Sequence, residues 1–102
     1  MIKIIYPDGN VEYQDVRRLT PNDLFLVFGN WGTMRYLYTA TTPSGKPVDF
    51  YIVYELPPQD AYGYVDHARC KPLNEKVLQD YGIQVYGTAI ICKADMLDMA
   101  ED

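Results

Sequence analysis

Between Val48 and Glu55 the chain reads Val-Asp-Phe-Tyr-Ile-Val-Tyr-Glu. Successive side chains of a strand point to opposite faces. Phe50, Ile52 and Tyr54 therefore face one way, and Tyr51 and Val53 the other. A strand with one wet face would alternate apolar and polar; this one is apolar on both, which marks it as central in a sheet. Leu56-Pro57-Pro58 ends it, since proline removes a ladder donor. The rest of the chain must supply its neighbours.

Those neighbours are legible from turn signals. Ile2 to Tyr6 reads as a strand, and Pro7-Asp8-Gly9-Asn10 as a tight turn. Val11 to Val16 is the return strand, and its imperfect alternation suits an edge. Thr20 can cap a helix, Pro21 suits its first position and Asp23 its positive end. Leu24 to Phe28 continue that helix, and Gly29-Asn30 stops it. Its residues are so apolar that it must pack on something, most simply the sheet. Trp31, just beyond, is expected to plug the core. Thr33 to Thr39 reads as a third strand, Thr42 to Pro47 as a turn, Pro72 to Tyr81 as a second helix closed by Gly82, and Ile83 to Cys92 as a last, internal strand. The expected fold class is α+β: a mostly antiparallel sheet of about five strands with two short helices. Residues 1–92 form a single domain, and 93–102 an acidic C-terminal tail that is either a docking helix or a frayed end.

The chain has 102 residues and a formal net charge of −5. Acidity disfavours direct binding to a nucleic-acid backbone, which calls for clustered Lys and Arg. Nothing approaches the roughly 20 apolar residues needed to span a membrane, and the first residues lack the apolar run of a signal peptide. A cytoplasmic protein with reduced thiols is expected. Two cysteines and one histidine, widely spaced, do not form a zinc pattern, so no metal or cofactor is expected.

Chemistry-bearing constellations are few. His67 and Cys70 sit three residues apart in an apparent loop, but no motif ties them into a nucleophile and its base, and no catalytic residue is assigned. Phe28-Gly29-Asn30-Trp31-Gly32 follows a helix, where a phosphate loop must precede one. Residues 59–71 are the best binding candidate. They lack periodicity, loops this long in small domains are often functional, and they carry Tyr62, Tyr64, His67 and Arg69. Tyr and Arg are hot-spot residue types; the same set would stack a base or grip an anion, or simply fold over the core as a lid. Asp95 and Asp98 would share a face with Asp102 if the tail is helical, offering carboxylates to a basic partner, unless the tail is only solvated.

Pro72-Leu73-Asn74-Glu75 at a helix entry and Tyr86-Gly87-Thr88-Ala89-Ile90-Ile91 on the closing strand resemble the DUF3846 family, a domain of unknown function found in phage, plasmid and bacterial sequences. The resemblance covers the chain loosely and Pro72 to Ile91 best. It implies a setting, a small accessory protein of a phage or mobile element, and no reaction. The expected function is a non-enzymatic interaction protein that binds and modulates a host protein, anti-defence action being one form of this, through Tyr62, Tyr64, His67 and Arg69 with Asp95 and Asp98 as an electrostatic fringe. The alternative is a small-ligand or nucleotide-binding protein that uses Tyr and Arg. Self-association through the Tyr-rich sheet or its edge strand stays open.

Overall fold

The structure, a computed structural model, describes residues 1–29 and 33–97. Trp31, Asp98 and Asp102 lie outside them. The described residues form an α+β fold with one open antiparallel sheet and two helices. The elements are β1 (Ile2–Ile5), β2 (Val11–Gln14), α1 (Pro21–Phe28), β3 (Thr33–Thr41), β4 (Pro47–Glu55), α2 (Glu75–Tyr81) and β5 (Ala89–Lys93), followed by a single 3-10 turn over Ala94–Met96. The sheet order is β2-β1-β5-β4-β3. β1 and β2 form one hairpin and β3 and β4 another, while β5, the last strand made, enters between them and pairs antiparallel with both. Its residues Ala89 to Cys92 are all buried. An unbroken apolar run suits a strand covered on both faces.

Each face of the sheet carries its own core. On one, Ile2, Ile4, Val53, Ile90 and Cys92 pack with Leu24 and Phe28 of α1, with Leu19 and with Met96. On the other, Ile5, Ile52, Ala89 and Ile91 pack with Val77 of α2 and with Val85. The two-sided apolar pattern of β4 is thus satisfied by two helices on opposite faces. Beyond β5, Met96 is buried, Leu19 N–H donates to its carbonyl at 2.7 Å, and Leu97 bridges Leu19 in parallel. Among the described residues, no helix is long and apolar enough to cross a membrane.

Local signals act as expected at the ends of α1. The Thr20 hydroxyl accepts from Asp23 N–H while the Asp23 carboxylate accepts from Thr20 N–H, a reciprocal capping box. The Tyr6–Asn10 turn closes with Gly9 N–H donating to Tyr6 O and Tyr6 N–H to Asn10 O, with Gly9 at φ +93°. This is a type I turn followed by a left-handed residue.

The segment from Pro72 to Thr88 departs from expectation. α2 begins at Glu75 rather than Pro72, because Asn74 is its N-cap and the chain before it is extended. Asn74 N–H donates to Val85 O at 2.7 Å, Gly87 N–H to Pro72 O at 2.9 Å, and Leu73 bridges Tyr86. The last strand accordingly begins at Ala89, not Ile83, since residues 83–88 are occupied with the α2 entry. Gly87 sits at φ +103°, and a Cβ there would lie 3.1 Å from Lys71 Cδ and 3.3 Å from Glu55 Oε2. The buried Asn74 side chain joins three elements: its amide donates to Ile5 O and Gly87 O, both at 2.9 Å, and its oxygen accepts from Val77 N–H at 3.2 Å. Asn74 and Gly87 thus build a buried polar clasp.

Candidate functional site: a clasped loop bearing two tyrosines

Pro57 and Pro58 stop β4, and the chain then folds on itself. Gln59 bridges Val65 in antiparallel fashion. Inside that bridge, Asp60 organises a turn in two ways. Its main chain accepts from Gly63 N–H at 3.1 Å and donates to Tyr64 O at 2.8 Å. Its carboxylate Oδ1 accepts from Tyr62 N–H at 2.8 Å and Tyr64 N–H at 3.0 Å. Gly63 supplies the required positive φ of 86°, where a side chain would be strained. The result is a closed turn that holds two tyrosines outward: Tyr62 is 86% and Tyr64 72% exposed. Neither ring lies over the core as a lid would.

The base of the loop is latched. Asp66 N–H donates to Pro58 O at 2.8 Å. The Arg69 guanidinium donates from Nε to Asp66 Oδ2 at 2.8 Å and from Nη2 to Gln59 O at 3.1 Å. Arg69 therefore joins the two ends of the loop. Its hydrogen bond to Asp66, more than any other influence, holds that carboxyl below the ordinary aspartate value. Further on, Lys71 Nζ donates to the buried Glu55 carboxylate at 2.5 Å, tying the loop's exit to the end of β4. The His67 ring meets Tyr86 edge-on, with centroids 5.7 Å apart.

The structure thus brings Tyr62, Tyr64, His67 and Arg69 into one ordered loop with different parts to play. The tyrosines are displayed, Arg69 is a latch and His67 a contact to the clasp segment. Asp95 lies elsewhere. It lines a polar hollow with Pro47, Asp49 and Lys93, at the start of β4, whereas the loop is anchored at Glu55. The two ends of this nine-residue strand are about 27 Å apart at ~3.4 Å per residue. Asp98 lies outside the described residues. The sequence reading missed Asp60, Asp66 and Lys71. The Asp60-Ala61-Tyr62-Gly63 spacing is itself a turn signature and would have pointed to Asp60; the Lys71–Glu55 pair spans 16 residues and left no local sign.

Cys92 is buried, and that burial, more than any other influence, pushes its thiol up to about 11, so it stays protonated at neutral pH. Among the described residues, no group of three or more His, Cys, Asp or Glu is placed to hold a metal ion.

Comparison with protein-family models, curated proteins and solved structures finds no significant match. The geometry of the loop is therefore the basis for a functional reading.

Proposed function

We propose that this protein is a non-enzymatic interaction protein that binds and modulates a protein partner through the Tyr62–Tyr64 turn. One observation carries the reading: two large aromatic rings stand in solvent on a turn already fixed by Asp60 and latched by Arg69. Rings this exposed bury little area in the fold, and an aromatic anchor is what dominates many interfaces. A turn held in its binding shape loses little entropy on association, which lowers the cost of binding. The family resemblance makes a host protein of a phage or mobile element the partner to seek first, in the cytoplasm.

The test is a quantitative pull-down from a host lysate, comparing the intact chain with Tyr62→Ala/Tyr64→Ala. The double variant is expected to melt within about 0.5 kcal/mol of wild type, as surface substitutions do, and to lose the specific partner. Equal enrichment by both chains defeats the reading. A small molecule seen by native mass spectrometry on the intact chain and absent from the variant would transfer the site to the ligand-binding alternative.

A further inference from the structure

The sheet has two edges, and they differ. β2 is four residues long and includes Glu12 and Gln14. β3 is nine residues, Thr-Met-Arg-Tyr-Leu-Tyr-Thr-Ala-Thr. It pairs with β4 one-to-one from Thr33↔Glu55 to Thr41↔Pro47, without a bulge. Its outer side meets no strand among the described residues. Natural edges are usually short, bulged, proline-bearing or charged, because an open edge templates further pairing. β3 has only Arg35 by way of protection.

The orientation of the open backbone groups follows from the hairpin. Thr42 N–H donates to Lys46 O and Thr42 O accepts from Gly45 N–H, so Thr42 faces β4. Antiparallel ladders alternate, which turns the N–H and C=O of Thr41, Thr39, Leu37, Arg35 and Thr33 outward. We propose that this edge is paired by β3 of a second copy of the chain, antiparallel, about a two-fold axis through Leu37, making one continuous ten-stranded sheet.

Three features select a second copy in this register. First, a two-fold at Leu37 is the symmetric arrangement that pairs the whole strand and joins all five outward residues, with Arg35 opposite Thr39 and Thr33 opposite Thr41. Second, Tyr38, Ala40, Phe50, Tyr81 and Ile91 line an apolar hollow of about 240 Å³ on one face, whose β3 rim is Tyr38 and Ala40. In this register those two stand opposite Tyr36 and Met34 of the second copy, on the same face. Tyr36 and Met34 are 45% and 42% exposed in the single chain; pairing sets them at the mouth of the hollow, and the symmetry repeats this. Third, the Thr39 hydroxyl donates to Asp49 at 2.7 Å, and the register sets Arg35 of each copy opposite that pair in the other; the Arg35 guanidinium, which lies 5.5 Å over the Tyr51 ring in the single chain, would turn across the seam toward the Asp49 carboxylate. An edge of this size is smaller than a standard interface of roughly 1,600 Å², so a reversible, concentration-dependent dimer is expected.

Sedimentation velocity of the full chain, from about 1 μM to about 1 mM, tests this. Wild type should pass from monomer to dimer within that range. Leu37→Lys, which sets like charges against each other on the axis at a half-exposed position, should weaken the dimer at least about 100-fold without lowering the melting temperature. In a Cys70→Ser background, Leu37→Cys should be captured as a dimer by a short thiol cross-linker, since paired Cα atoms lie about 5.5 Å apart. Thr41→Cys should not, because the two copies would then lie about 27 Å apart. The cross-linking pair decides the matter if Leu37→Lys does not fold. A monomer throughout, as would be found if the edge serves a strand of some other protein, overturns the proposal. So does a dimer unaffected by Leu37→Lys, or equal cross-linking at positions 37 and 41. Tyr62→Ala/Tyr64→Ala should dimerise like wild type, so failure here leaves the loop reading standing.

Discussion

Asn74 and Asp60 do similar local chemistry in opposite settings. Each uses a side-chain oxygen to accept backbone N–H groups and so fixes the chain beside it, Asn74 at the entry to α2 and Asp60 in the tyrosine turn. Asn74 is fully buried and spends its amide hydrogens on Ile5 and Gly87, linking segments far apart in sequence. Asp60 stands in solvent and links only residues within four positions of itself. Burial decides what each bond is worth. An unmet carbonyl in the core cannot turn to water, whereas one at the surface can. The first motif contributes to stability, and the second shapes a surface.

The sharpest way to break the contrast is Asn74→Ala. It strips the helix cap and leaves Ile5 O and Gly87 O without that donor, and should cost about 3 kcal/mol in urea denaturation. Asn74→Asp should be no better, because a carboxylate cannot donate to those carbonyls; a mild effect from either would mean the clasp is not the anchor. Gly87→Ala comes next. It forces a side chain into φ +103° against Lys71 and Glu55, and a loss of about 2 kcal/mol is expected from the same denaturation curves.

Asp60→Ala should be milder still, within about 1 kcal/mol of wild type. It should nevertheless increase hydrogen exchange at Tyr62 and Tyr64 and weaken partner binding by about tenfold, since the turn must then be ordered on association. Asp60→Asn keeps the accepting oxygen and should behave as wild type. The smallest effect concerns the latch. The Asp66 carboxyl titrates below its ordinary 3.8 because Arg69 holds it. The latch is therefore intact above that value and lost only as pH falls through the lowered one. The Asp66 side-chain carboxyl carbon shift should stay constant down to the ordinary aspartate range and move only below it; a carboxyl that titrates within or above that range would mean that Arg69 does not hold the latch.

Much of the fold was legible because its signals are local. The Tyr6–Asn10 turn, the Thr20 cap with Pro21 and Asp23, the Gly29 and Gly82 stops and the Thr42–Gly45 turn each involve residues within a few positions of one another. The two-sided pattern of β4 correctly marked an internal strand. The misreadings fall together in Pro72 to Thr88, where periodicity extends both a helix and a strand through residues that pair with each other instead. Leu73 and Tyr86 carry no mark of their bridge, since any apolar residue would serve. The candidate loop was found from its composition. The division of labour within it was not, because Arg69 as a latch and Arg69 as a ligand look identical in sequence.

Short-range sterics, capping and side-chain alternation set the α+β class, most of the turns and helix ends, and which strand lies inside, and all of these can be read along the chain. Long-range packing sets the rest: β5 closes the sheet between two hairpins, Asn74 clasps β1 to the α2 entry, and β3 is left as a long open edge among the described residues. These are pairings between distant segments. Backbone hydrogen bonds are the same for every residue, so the choice among partners is made by how the faces pack once the whole chain is present.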